Sequence, residues 1–297
     1  MAVFPSYSAV GNKECLLDII SNITPKETPM FSTFGKVAVT NTLVEWQTDS
    51  LRAAADNKQL SGFTYASGAV VPTVLKNNYT QTFYVGYEVS KTQEAIMHAG
   101  RASEVAYQKE KAMKEYALDV EYTIVNHSAK VAYAAATEGE MGGLTYFLTG
   151  NYTSGDAIVK DEGTAALTKT LLDDQLQIAW TNGAIEMNSI YAPAKQKRVI
   201  NDFPATIRKM DVGSDRLSGL VNVYESDFGT LELVLDRRIA ESKLYILNDN
   251  MWKVGVLRPT VSLTHPEVAS SYMFGIEGEM TLICNNPQAN TALSNLG

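Results

Sequence analysis

The sequence predicts a mixed α+β fold. A helical apolar stripe runs from about Arg101 to Ala136 without Pro or Gly, and short runs rich in β-branched and aromatic residues lie on both sides of it. No internal repeat points to a solenoid or propeller. With 297 residues and 45% apolar positions, the chain can bury roughly three quarters of its unfolded surface, which excludes a disordered protein. Its 20 Gly and 9 Pro exclude collagenous and low-complexity architectures.

Residues 1–40 read as an arm. A short helical patch at Cys15–Ile20 is followed by Pro25 and Pro29, which forbid continuous helix, and the segment has no core of its own. From Asn41 the pattern turns extended, with Leu43, Glu45 and Gln47 on one parity and Val44 and Trp46 on the other. A second extended run covers Thr80–Val89. The polar stretch between them is too long for a hairpin loop and predicts a projecting protrusion bearing Phe63, Tyr65, Val70 and Val71. Such a protrusion has little of its own to bury, so residues 56–76 are expected to dock on another subunit. The alternative is an ordinary surface loop.

The stripe at 101–136 places Ala102, Val105, Ala106, Met113, Tyr116, Ala117, Val120 and Ile124 on one face, with Glu110/Lys114 and Lys111/Glu115 as i,i+4 charge pairs elsewhere. A straight helix of that length would span roughly 54 Å. A second helix is expected over Thr170–Asn182, capped by Thr168 or Thr170, with Leu172, Leu176, Ala179 and Trp180 inward and Gly183 as its stop. A strand at Ser189–Ala192 and a short basic helix at Lys195–Ile200 follow. Further strands are expected at Val221–Tyr224, Leu231–Leu235, Leu244–Leu247, Trp252–Val256 and Met280–Cys284. Lys195, Lys197 and Arg198 read as a solvated face or subunit contact rather than a nucleic-acid site.

No chemical constellation stands out. The chain has no G-x-G-x-x-G, Walker A, G-x-S-x-G or H-E-x-x-H motif. His98, His127 and His265 are far apart and read as helix end, packing and turn residues. Asp161-Glu162 and Asp173-Asp174 are adjacent acids, and neighbours in sequence rarely serve acid–base catalysis; for Asp173-Asp174 the first turn of a helix and its capping are the simpler account. Cys15 and Cys284 permit neither a disulfide framework nor a Cys-based zinc site, and fit a reducing cytoplasm. Triplets for glycosylation begin at Asn22, Asn78, Asn126 and Asn151, without a secretory signal to give them meaning. No segment approaches a membrane span. The net charge of −8 argues against tight non-specific DNA binding, which draws on Lys and Arg. No cofactor and no metal is expected.

Arm, projecting hairpin, long helix and α+β lobe in this order, without a catalytic motif, resemble the tailed-bacteriophage major capsid proteins with the Hong Kong 97-type fold. The block Asn22–Phe31, followed by Asn41–Leu51 with its Glu45-Trp46-Gln47-Thr48-Asp49-Ser50-Leu51, is similar to the N-terminal signature of one family in that group. Val223–Gly229, Leu257-Arg258-Pro259 and Gly278–Ile283 resemble its later blocks.

The resemblance implies an N-terminal arm over 1–40 and an extended loop over 41–85. It implies a peripheral domain over 86–179 and 266–297, built on a spine helix at about 101–136, and an axial domain over 180–265. It implies a coat protein that self-assembles in the host cytoplasm into the icosahedral head shell of the virion, with no enzymatic activity. Its partners would be copies of itself in hexamers and pentamers, a portal protein, a cement or decoration protein, and packaged double-stranded DNA held loosely, with no membrane. The signature begins by Asn22, so scaffolding is expected from a separate protein. Some members cross-link the loop through Lys. Lys58 and Lys76 are candidates without a supporting motif, and an ordinary charged role is preferred for both. Trp46, Phe63, Tyr65, Phe83, Tyr84 and Tyr87 are the expected assembly residues, with intradomain core as the competing role, above all for Trp46 and Phe83. An encapsulin-like bacterial compartment shares the fold and is the alternative. An enzyme with an unrecognised site is disfavoured by the absent motifs.

Overall fold

Long β-rich runs near the C-terminus build the frame. A computed structural model of the chain describes residues 28–65, 68, 70–97, 100–149, 159–182, 187–203, 223–266 and 269–297. In it, β1 (Gly35–Ala38), β4 (Gln81–Ser90), β10 (Trp252–Thr264) and β11 (Ser271–Cys284) form a four-stranded sheet in the order β1-β10-β11-β4. β10 and β11 are antiparallel, and their register slips on either side of Arg258, beside Pro259, which has no N–H to give the ladder. β4 presents Phe83 and Val89 to the interior. Over them lies α3 (Glu104–Asn126), whose Ala112, Tyr116, Val120 and Ile124 recur every four residues and are all buried. Tyr116 meets Phe83 edge to face at 6.1 Å. A Cβ at Gly278 would collide with the Tyr116 hydroxyl.

The long helix is shorter than its sequence pattern. It has 23 residues, about 35 Å, rather than spanning 101–136. Ser103 caps its start by accepting the Ala106 N–H, while the Glu94 carboxylate takes the Ser103 hydroxyl and the Val105 N–H. At the other end the chain turns at His127, whose carbonyl accepts the N–H groups of Gly143 and Tyr146. Residues 131–140 then fold back on themselves through the bridges Val131–Glu140 and Ala134–Thr137. The buried face is also rotated from the expected one: Ala102, Ala106 and Met113 are exposed, and Ala112 takes the inward position. The charge pairs Glu110/Lys114 and Lys111/Glu115 form as expected.

The second sheet explains why two of its strands read as unbroken apolar runs. β5 (Val159–Asp161), β6 (Ser189–Ala192), β7 (Val223–Ser226), β8 (Gly229–Leu235), β9 (Leu244–Leu247) and β12 (Thr291–Ser294) pair in the order β5-β12-β9-β6-β8-β7. On its outer face, Ile190, Leu244 and Ile246 pack with Leu172, Leu176 and Ala179 of α5 (Lys169–Thr181) and Ile200 of α6 (Ala194–Asn201). The alternate residues Tyr191, Tyr245 and Leu247 join the core shared with α3 and the first sheet. β6 and β9 are therefore buried on both faces.

Several expectations change here. Thr168 is the cap of α5, accepting the Leu171 N–H, but Trp180 is exposed rather than inward because it lies off the Leu172–Leu176–Ala179 stripe. Gly183 lies outside the described residues. Lys195 and Arg198 are solvated, whereas Lys197 is buried with Nζ donating to the Leu233 carbonyl at 3.1 Å, and burial holds its pKa below the usual lysine value. α5 and β12 pack with the second sheet, and β10 pairs in the first.

The two sheets are joined through the last part of the segment expected to be an arm. α1 (Pro29–Thr33) opens with Pro at its first position, and its otherwise unpaired Met30 and Phe31 N–H groups donate to Glu121 of α3 at 2.9 and 2.7 Å. Phe34 stacks on Trp252 at 5.9 Å, and Met30 and Phe34 are buried and both belong to the core that Tyr191 of the second sheet joins. Within the arm, residues 28–38 are thus part of the body. Residues 1–27, including the patch at Cys15–Ile20, lie outside the described residues.

Burial pushes Glu121 up to about 7, reinforced by Asp236 and opposed by the two backbone donors and Arg238. The folded chain therefore holds a proton, between the ordinary carboxylate value of 4.5 and about 7, that the unfolded chain releases, and stability falls as pH rises through that window. Urea unfolding of the unassembled chain should show wild type losing more stability than Glu121→Gln between about pH 5 and about pH 8. Equal losses would show that this carboxyl is not the source.

Candidate assembly surfaces

β2 (Leu43–Thr48) and β3 (Val74–Tyr79) form an antiparallel hairpin, with Leu43 opposite Tyr79 and Thr48 opposite Val74. The return strand is thus Val74–Tyr79, within the stretch whose sequence predicts loop. The run assigned to that role, Thr80–Val89, lies mostly in β4 and pairs with β11. The physical source of this difference is that only Trp46 of the hairpin packs against the core and the buried position of the return strand is filled by the polar Asn78, so no apolar alternation marks that strand.

Beyond Thr48 and Val74 the described residues form neither helix nor strand, and Gly62 turns the chain with φ +81°. Leu51 is 97% exposed, Tyr65 91% and Val70 92%, with Leu60 and Val71 also in solvent. Phe63 and Tyr65 touch edge to face at 5.3 Å, and neither joins the core clusters. Covering each such side chain would gain about 1.5–3 kcal/mol.

The root of this hairpin is fastened. Trp46 packs on Phe147 and donates Nε1–H to the Cys284 carbonyl at 3.0 Å, and Thr281 donates to the Tyr79 carbonyl at 2.7 Å. Thr80 donates its hydroxyl to Glu279 at 2.6 Å, and Arg258 pairs with Glu279 and Glu277.

The six expected assembly residues do not form one surface. Phe63 and Tyr65 sit on the exposed tip. Tyr84 is exposed on the outer face of β4, its hydroxyl 3.0 Å from His265 Nε2. Tyr87 is half-buried and stacks on Phe274, its cross-strand neighbour. Phe83 is buried under Tyr116, and Trp46 is partly buried against the same core. Leu51, Leu60 and Val74 belong to the exposed set and were missed. Their signal is apolar side chains without periodicity inside a polar stretch. Met113 and Tyr122 on the outer side of α3 are exposed as well.

The residues weighed for chemistry do structural work. His127 Nδ1 lies 3.2 Å from the Met141 carbonyl, Asp161 accepts the Gly163 N–H, Glu162 pairs with Lys160, and Asp173 accepts the Tyr224 hydroxyl. Cys284 is buried and its thiol pushed up toward the neutral form, while Lys58 pairs with Asp56. His98, Cys15, Asn22 and Asn151 lie outside the described residues. Among the described residues no group of three or more His, Cys, Asp or Glu is arranged to hold a metal, and no helix is long and apolar enough to cross a membrane.

Comparison with known proteins gives this geometry a context. A curated major capsid protein of Escherichia phage Phieco32 is 34% identical over 129 residues, 43% of this chain and 37% of that protein. The matched stretch therefore spans little more than a third of the relative's length. The capsid asymmetric unit of cyanophage A-1(L) superposes with a TM-score of 0.66 at 14% identity, covering 98% of each chain. The SrpI encapsulin of Synechococcus elongatus superposes with a TM-score of 0.61 at 9% identity, covering 96% of this chain and 92% of that one. At these identities the likeness is one of fold, and the fold is the Hong Kong 97-type capsid fold. The SU10 major capsid protein family matches residues 5–297. With that match running through the hairpin, the long helix and both sheets, the chain belongs to the SU10 major capsid protein family.

Proposed function

We propose that the chain is the coat subunit that closes the icosahedral head shell of a tailed double-stranded DNA phage. The observation that carries this is an apolar hairpin tip left in solvent on a root that is hydrogen-bonded to the body. A side-chain set of that kind is satisfied only by a partner, and identical copies supply one at every position of a closed shell. At about 25 cal/mol per Å², each covered hairpin contributes modestly, and the sum over a shell is large.

In this reading the subunits form hexamers and pentamers, with a portal protein at one vertex, a separate scaffolding protein and a cement protein on the exterior. Assembly takes place in the host cytoplasm, and the role is structural rather than enzymatic. The net charge of −8 suits loose contact with packaged DNA, since few counterions would be released on contact.

The test is electron microscopy of the expressed chain. Wild type should form closed shells, and Phe63→Ser/Tyr65→Ser should yield folded subunits that do not close; normal shells from that variant would refute the role of the tip. Shells that enclose a protein cargo instead of DNA would favour the encapsulin-like compartment. In the unassembled subunit the same double substitution should shift unfolding stability by no more than about 0.5 kcal/mol, because both rings are solvated. Phe83→Ala should cost about 3–5 kcal/mol, because that ring lies in the core. Denaturant unfolding separates the two.

A further inference from the structure

The hairpin root contains an unusually complete hydrogen-bonding arrangement. Asn78 in β3 has no solvent exposure. Its Nδ2 donates to the Leu282 carbonyl at 2.7 Å and to the Gly142 carbonyl at 3.0 Å, while its Oδ1 accepts the Gly142 N–H at 2.9 Å and the Tyr79 N–H at 3.0 Å. Both donors and both lone pairs of the amide are matched. One side chain thus ties the hairpin to β11 and to the Gly142–Gly143 turn.

That turn is pressed against the end of α3. The Gly143 N–H donates to the His127 carbonyl at 3.1 Å, and a Cβ on Gly143 would fall 2.6 Å from the carbonyl oxygens of both Thr123 and Ile124. Those obstacles are backbone, so only glycine fits without moving the helix. A second strut runs in parallel: Lys130, just beyond α3, donates Nζ to the Asn77 carbonyl at 3.0 Å and to its side-chain oxygen.

We propose that Asn78, seated on the Gly142–Gly143 turn, is a positioning residue that couples the elevation of the hairpin to the last turn of α3, so that the two move as one. This extends the coat-subunit reading, in which hairpin elevation sets how far a subunit reaches toward its neighbour. The hairpin cannot tilt about its root without breaking the amide's bonds or displacing the helix end. Asp at this position keeps the shape but has no donors for the Gly142 and Leu282 carbonyls.

The test is hydrogen exchange on the unassembled subunit, which does not require shells to form and so reads this coupling apart from the coat-subunit reading. Asn78→Asp should speed exchange in Leu43–Tyr79 and in Val120–Asn126 together, while β6 and β9 keep wild-type rates. Lys130→Ala, which removes only the outer strut, should produce a weaker version of the same paired change and decides the matter if Asn78→Asp does not fold. Faster exchange in the hairpin alone, or in neither segment, would overturn the coupling.

Discussion

The carboxylate of Glu121 joins an N-terminal helix, a long helix and two sheets at one buried point. By accepting the Met30 and Phe31 N–H groups it satisfies donors that a five-residue helix cannot satisfy internally. With α1 held there, Phe34 stacks on Trp252 of the first sheet, and Met30 and Phe34 share the core that Tyr191 of the second sheet joins. A buried carboxyl is costly unless paired or hydrogen-bonded, and here the two backbone donors oppose its desolvation. The double-faced burial of β6 and β9 completes the joint, because one strand pair supplies side chains to both cores.

A body joined this firmly makes the hairpin stand apart. Its root is anchored by Trp46, Asn78 and Thr80, all bonded to β11 or to the turn before α4 (Leu144–Thr149). Its tip has contacts mainly with itself. In the proposed shell role the body sets the direction of the hairpin and its tip is the surface offered to a neighbour. Among the described residues, Glu121 holds the start of α1 and the His127 carbonyl holds the turn after α3.

Much of this was legible in residue order. Leu244–Leu247 and Ser189–Ala192 were recognisable because burial on both faces demands consecutive apolar residues, and α5 because Thr168 and the Leu172–Leu176–Ala179 spacing mark its start and face. Position along the chain also located the protrusion. Residue order put Phe63 on the protrusion and Phe83 in an extended run with core as its stronger competing role; what buries Phe83 is Tyr116, brought over it by the packing of α3. Lys197 read as solvated because nothing local reveals that the Leu233 carbonyl waits in the neighbouring strand. The end of α3 was equally hidden, for residues 127–136 contain no breaker and turn away to meet Gly143, Tyr146 and Asn77.

By itself the sequence determined the α+β class, the place of the hairpin, most of the strands and the family, because these depend on local periodicity and on specific blocks such as Glu45–Leu51. Tertiary structure alone decided where the long helix stops, which aromatic residues are core, which strand closes the hairpin and how the two sheets are joined. Those outcomes depend on partners far away in the chain, among them Glu121 with Met30 and Asn78 with Leu282. A hydrogen bond or ring contact between such partners outweighs a local preference of a few tenths of a kcal/mol per residue, which is about the range that separates most residues in helix propensity.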